Sequence, residues 1–347
     1  MSNSPKRYAK QAPSFFTRLA KRLYILLFLL SLIVVVGYAS LNIFAPKPTV
    51  DKQVTFSPSR PAAPDRQANV SVGGGSDSSS SAAAASAAPE LVLHRRDDVY
   101  TCLLLGVADR GGADTIMLGV FDTKARQASL LSIPRDTVVY QDGKYRKINA
   151  VYSGGPEAVA DAVRDLLGIP VDYWVSVNLR AFSSIVNQIG GVWFTVPVDM
   201  DYEDPYQDLY IHISAGYQLL DGKKAEGVMR CRNCYASADI GRTATQRAFL
   251  VALAKQTITP SNVTKVTSLI NTFSQYVNSD MPLNDMVYFG TQAIGMDLDA
   301  ALTTGSLEGE WISPYWQLDD DAALERVNSL GIYEEEVPLE VLHIVHP

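Results

Sequence analysis

The chain is poor in the residues on which most hydrolytic and metal chemistry rests. Of its 347 residues, three are cysteine and four are histidine. The histidines (His94, His212, His343 and His346) form no His-Glu-x-x-His motif, and no Gly-x-Ser-x-Gly elbow presents a serine. The usual zinc-protease and α/β-hydrolase arrangements are thereby excluded. His343 and His346 have metal-ligand spacing, but their place in the last few residues reads more simply as a solvated tail. Three cysteines cannot frame a fold, so core packing must hold it, and 47% hydrophobic residues suffice for that. A basic surplus is also missing. The formal net charge is −7, although Lys6, Arg7, Lys10, Arg18, Lys21 and Arg22 lie in the first 22 residues without an acid among them. The rest is therefore more acidic still, which excludes a nucleic-acid backbone as partner. No helix-turn-helix signature supports a membrane-tethered transcription regulator.

What is present begins with an apolar run. Residues 23–44 are interrupted only by Ser31, Gly37, Ser40 and Asn42. As a helix they reach roughly 33 Å at about 1.5 Å per residue, enough for a bilayer core of roughly 30 Å. The run exceeds the roughly 7–15 apolar residues of a cleaved signal peptide. A single retained transmembrane helix is predicted, with basic residues 1–22 in the cytoplasm and all that follows outside the cell. Residues 45–97, rich in Pro, Ser, Ala and Gly, read as a disordered tether. A folded domain is expected over 98–331 and a C-terminal tail over 332–347.

Within that domain, short apolar runs at 100–107, 115–121 and 128–133 read as buried strands. Pro156 opens a helical pattern that Gly168 and Pro170 close. A strand at 173–177, a helix at 181–189 ended by Gly190-Gly191, and a strand at 192–196 follow. Helical periodicity returns over 240–258 and 263–277, and a last helix is predicted at 319–330. This alternation gives an α/β class, with helices on both faces of a mixed sheet.

Arginines in otherwise apolar or glycine-rich segments carry the chemistry: Arg135, Arg230, Arg232 and Arg242. In an extended segment Arg230 and Arg232 would share a face, and on a helix Arg242 and Gln246 do too. Guanidinium forks bind phosphate oxygens bidentately, and a helix starting near Gly241 would add its positive end. Pairing of each arginine with a neighbouring acid, such as Asp136 or Asp239, is the alternative. Asp109 and Asp114 bracket a glycine turn where paired carboxylates can hold Mg²⁺ beside phosphate. Cys231 and Cys234 suit a small disulfide or two free thiols, with zinc disfavoured for want of a second pair. Cys102 reads as packed in a core strand. Trp311, Tyr315 and Trp316 suit sugar stacking or plain packing.

Read in order, Asp114-Thr115-Ile116-Met117-Leu118, Ser132-Ile133-Pro134-Arg135-Asp136-Thr137, Lys147-Ile148-Asn149-Ala150 and Leu167-Gly168-Ile169-Pro170-Val171-Asp172-Tyr173 resemble the LytR–CpsA–Psr family of cell-wall enzymes. Val177-Asn178, Ile189-Gly190-Gly191-Val192, Leu220-Asp221-Gly222, Arg230-x-Arg232 and Asp239-Ile240-Gly241-Arg242 continue the match, which covers roughly 99–255. The resemblance implies a three-layer α/β/α domain that binds a polyprenyl-pyrophosphate-linked glycopolymer, its lipid in an apolar channel. It also implies transfer of that polymer, a teichoic acid, capsule or similar, to a peptidoglycan hydroxyl through a phosphodiester, releasing polyprenyl phosphate. Carried over, Asp109 and Asp114 match the Mg²⁺-binding acids. Arg135, Arg230, Arg232, Arg242 and Gln246 match the pyrophosphate clamp, with Lys147 a basic residue near it. Catalytic roles fall on Asp114 and Arg135. A module that binds the lipid-linked polymer without turnover is the alternative, and the acids discriminate between the two. The chain departs from the family in a short loop between the two acids, with Ala113 where relatives carry arginine, and in Thr245 where a further arginine is common.

Overall fold

The apolar runs at the head of the folded part become neighbouring strands of one sheet. A computed structural model describes residues 46–56, 90–107, 111–207, 209–236, 239–265, 270–271 and 273–347. Strands β1 (Val99–Val107), β2 (Ala113–Asp122), β3 (Gln127–Ser132), β4 (Tyr173–Asn178), β5 (Asn278–Ser279) and β6 (Leu302–Ser306) lie in the order β5-β4-β1-β2-β3-β6. The β1–β4 and β3–β6 pairs are parallel and the others antiparallel, so the sheet is mixed as expected.

The period-2 alternation of β1 divides the molecule. Val99, Leu103 and Leu105 join a core with Val159, Val163 and Leu167 of helix α1 (Pro156–Leu167). Gly168 ends that helix in the left-handed region at φ 63°, and a Cβ there would come within 2.1 Å of a Val341 methyl. Tyr100, on the opposite face, meets Phe289 edge to face with centroids 4.9 Å apart. A second core gathers Val186, Val228 and Phe249 from helices α2 (Leu179–Gln188), α3 (Gly222–Arg230) and α4 (Asp239–Thr257). It also takes the antiparallel pairs Val192–Val196 with Gly216–Leu220, and Met200–Asp204 with Leu209–Ile213. Asp221 caps α3 by accepting from the Lys224 N–H at 2.9 Å. A Cβ on Gly222 would lie 2.2 Å from the Ser183 carbonyl, so only glycine lets α3 press against α2.

Three expectations change. The tether over 45–97 contains strands Gln53–Phe56 and Leu91–His94, paired antiparallel. Four residues of β-ladder inside a Pro- and Ser-rich stretch give too little periodicity to read. The tail over 332–347 is part of the domain: Ile332, Tyr333, Val337, Val341 and Leu342 are buried, and Tyr333 Oη donates to the Gly168 carbonyl at 2.6 Å. His346 lies beside Gln317 and Asp320, and neither it nor His343 joins a metal-ligand group among the described residues. The helix predicted over 263–277 begins as a 3-10 turn, Pro260–Lys265. The transmembrane run 23–44 lies outside the described residues, among which no helix is long and apolar enough to cross a membrane.

The largest buried charge pair lies away from the arginine cluster. Arg95 donates from Nη1 and Nη2 to the two oxygens of Asp172 at 2.6 and 2.5 Å, with side chains only 2% and 11% exposed. The Thr101 N–H and hydroxyl also donate to Asp172 Oδ2. Asp172→Ala should therefore destabilise the domain by about 3–5 kcal/mol, because a guanidinium is left buried without its partner. Denaturant unfolding checks this, and a loss below about 1 kcal/mol, the scale of an exposed pair, would show that water reaches the site.

Candidate active site

The loop after β3 carries Arg135 to the edge of β2. Its carbonyl accepts from the Asn149 N–H at 3.1 Å, and the Thr137 carbonyl accepts from the Ile148 N–H at 2.8 Å. These bonds tie the Ser132–Thr137 motif to the Lys147–Ala150 motif. Arg135 Nη1 then donates to Asp114 Oδ1 at 2.6 Å. Arg232 approaches the same oxygen at 3.5 Å and reaches Asp239 Oδ1 with Nε at 3.4 Å. Arg242, one turn into α4, places Nη2 2.7 Å from Asp239 Oδ1 and 3.3 Å from the Asp114 carbonyl. Arg230 ends α3 and meets Glu226 at 3.0 Å. Gln246, on the same face of α4 as Arg242, donates to the Met229 carbonyl at 2.9 Å.

Asp114, Arg135, Arg230, Arg232, Arg242 and Gln246 line one cavity of about 1020 Å³. Its lining is otherwise largely apolar, including Leu104, Val175 and Val177 from the sheet and Phe182, Ile185 and Leu253 from the second core's helices. Arg242 is the most buried of the cluster at 3% exposure. Desolvation, with a smaller repulsion from Arg232 and Arg135, lowers its pKa to about 10, so it stays charged at neutral pH. The Nε atoms of Arg135 and Arg242 are buried without a hydrogen-bond partner among the described residues. The arginines pair with acids, as the alternative reading expects, and they converge on one cavity.

Two placements are corrected. Arg230 and Arg232 do not share an extended strand, since Arg230 closes a helix and Arg232 follows in a turn. The pattern of α3, with Asp221 at its cap and Ala225 and Val228 inward, outweighs the two-residue spacing. Lys147 does not line the cavity; its Nζ meets Asp136 at 2.9 Å. Asp109 lies outside the described residues, so Asp114 alone of the two acids is placed. Sequence reasoning missed Glu226, whose i,i+4 spacing to Arg230 was the available signal. It also gave no role to Asn149, which lines the cavity.

Cys231 and Cys234 are bridged, closing the turn between Arg230 and Arg232. Thiol counting on unreduced, denatured protein should find one thiol per chain, that of Cys102, and three would refute the bridge. Burial pushes the Cys102 thiol up to about 12, so it is unreactive at neutral pH.

The model of the LytR_cpsA_psr family matches residues 69–329. The chain belongs to this family. Among its LytR_cpsA_psr relatives, the polyisoprenyl-teichoic acid–peptidoglycan teichoic acid transferase TagV of Bacillus subtilis (strain 168) is 29% identical over 206 residues, 56% of this chain and 53% of TagV. The chain spans about half the length of the first curated relatives it matches, at 50% and 53%. The crystal structure of B. subtilis TagV superimposes with a TM-score of 0.60 at 26% identity, covering 67% of this chain and 96% of that one. A structure of TagT bound to LI-WTA gives 0.55 at 26% identity, covering 67% and 89%.

Proposed function

We propose that this protein transfers a glycopolymer from a polyprenyl pyrophosphate carrier to peptidoglycan, as a phosphotransferase held at the outer face of the cell membrane. The observation that carries the reading is one cavity lined both by four arginines and by apolar side chains. That layout matches a ligand with a hydrocarbon tail and a doubly anionic head. The relatives named above are described as teichoic acid transferases, which supports the reaction class without fixing the polymer.

In this reading the prenyl chain enters the cavity, and Arg135, Arg230, Arg232 and Arg242 hold the pyrophosphate oxygens. Phosphoryl transfer needs positioning and charge neutralisation more than a covalent nucleophile, which fits a site without serine, cysteine thiolate or histidine. Asp114 accepts the proton of the incoming hydroxyl. An oxygen-only donor set suits Mg²⁺, which typically binds one or two carboxylates and completes its shell with phosphate oxygens and water. Asp114, which lines the cavity with its side chain 37% exposed, fits that role. When bound, the ion would add positive charge against the phosphates. Residues 23–44 supply the membrane segment, supported by their length and basic flank.

The test is reconstitution of the full chain in detergent with a radiolabelled pyrophosphate-linked polymer, Mg²⁺ and peptidoglycan. Label should pass to the insoluble wall fraction as polyprenyl phosphate appears. Label that stays on the lipid despite tight binding would leave a carrier-binding module instead.

A further inference from the structure

The hairpin of Gly309–Ile312 and Tyr315–Leu318 takes no part in the chemistry above, yet it hangs from the loop that bears Arg135. The Trp316 N–H donates to the Asp136 carbonyl at 2.9 Å, and Thr137 pairs with Trp316 in a parallel bridge. Trp316 packs on the first core, and Tyr315 Oη donates to the Tyr145 carbonyl at 3.2 Å. Trp311, opposite Trp316 in the hairpin, stays 53% exposed. Lys147 Nζ stands 5.5 Å from its ring centroid while bonding Asp136 at 2.9 Å. Asp136 in turn faces Arg135 Nε at 3.7 Å. An exposed indole, an ammonium and a carboxylate thus run in one line to the arginine cluster. A flat apolar ring beside a charged donor is the pairing that recognises a sugar, whose C–H face stacks while its oxygens accept hydrogen bonds.

We infer that Trp311 and Lys147 form an acceptor-side subsite that takes an amino sugar of a β-linked glycan strand; the inference rests on the transferase reading. In phosphoryl transfer the entering and leaving oxygens lie roughly in line, so the acceptor hydroxyl arrives opposite the departing polyprenyl phosphate. The acceptor oxygen bonds to phosphorus, and the phosphoanhydride P–O bond breaks. Polyprenyl phosphate leaves with the electron pair, and the hydroxyl proton passes to Asp114. The prenyl chain fills the cavity, and neither Trp311 nor Lys147 lines it. The donor's own sugar remains attached to the phosphorus among the arginines. The acceptor's approach is then the side away from the prenyl cavity, where contacts run from Arg135 through Asp136 and Lys147 to Trp311. A stacked exposed pair elsewhere, Trp193 and Tyr217 with centroids 5.3 Å apart, is remote. The Trp193 N–H donates to Gln256, which lies roughly 21 Å beyond Arg242 along α4 at about 1.5 Å per residue.

Ligand-observed NMR with chitotetraose on the detergent-solubilised full chain tests the subsite. Trp311→Ala should weaken chitotetraose binding by about tenfold or more, the loss of one good aromatic contact, while Trp311→Phe retains most of it. Trp193→Ala should leave chitotetraose binding unchanged, and inorganic pyrophosphate should bind Trp311→Ala as it binds the wild type. In turnover, Trp311→Ala should raise KM for the glycan acceptor and spare KM for the lipid donor. Wild-type chitotetraose binding by Trp311→Ala, an equal loss in Trp193→Ala, or a raised donor KM in place of the acceptor KM would each overturn the subsite. Failure of the transferase reading looks different: wild-type protein moves no polymer while Trp311-dependent chitotetraose binding persists, which keeps a sugar site and removes the acceptor role.

Discussion

Arg242→Ala should cost roughly 30- to 4000-fold in affinity for polyprenyl pyrophosphate, the range for losing a desolvated charged partner worth about 2–5 kcal/mol. Burial decides that this arginine matters most. At 3% exposure Arg242 has little contact with water, its Nε has no partner among the described residues, and desolvation already lowers its pKa. A phosphate oxygen therefore meets a guanidinium with little hydration left to strip. Arg230 is a weaker case because its side chain is 19% exposed against 4% for Arg242, each being already engaged by an acid, Glu226 at 3.0 Å and Asp239 at 2.7 Å. Arg242→Lys keeps the charge but not the fork, so its binding should fall between wild type and alanine. The measurement is calorimetric titration with undecaprenyl pyrophosphate, alongside thermal unfolding to show that the variant is folded. A folded Arg242→Ala that binds like wild type would remove the arginine cluster from the mechanism.

Asp114→Ala should separate binding from turnover. Its Oδ1 accepts from Arg135 at 2.6 Å and lies 3.5 Å from Arg232, so it neutralises the groups that the pyrophosphate needs. Removing it frees both guanidinia, and donor binding without Mg²⁺ should hold or tighten. Transfer should fall by about 10²–10⁴-fold, the usual contribution of a positioned proton acceptor. Single-turnover transfer to peptidoglycan, measured beside donor titration, reads both quantities. Wild-type transfer by Asp114→Ala would end the proposed role of this acid. Loss of donor binding would recast it as a structural brace for the arginines.

The sheet and α1 were open to reading because each carries its own period and punctuation. Residues 100–107 alternate between the first core and the opposite sheet face that bears Tyr100 and Leu104, and Pro156 and Gly168 bound the helix they were expected to bound. The identities of Arg135, Arg232, Arg242 and Gln246 as lining residues were equally accessible, since charged groups in apolar surroundings need a partner. What stayed hidden depends on partners distant in sequence. Lys147 lies outside the cavity because Asp136 holds it there, and no spacing rule encodes that contact. Burial of residues 332–347 rests on Val341 meeting Gly168 across the chain. The strand Gln53–Phe56 exists only because Leu91–His94 lies beside it.

That small strand pair alters how far the domain can travel. Read as a leash of about 50 residues, the segment after the apolar run would let the domain wander roughly 40 Å from the bilayer. The chain is instead fastened almost at once, with Lys47 paired to Asp98 at 2.8 Å and the Pro48 carbonyl held by Tyr100 Oη at 3.0 Å. Lys47 lies three positions after Phe44, a fully extended reach of about 10 Å. With residues 23–44 in the bilayer as proposed, the domain rides on the membrane surface. A lipid-borne substrate would then be taken up where it floats, and the wall polymer would have to come down to meet it.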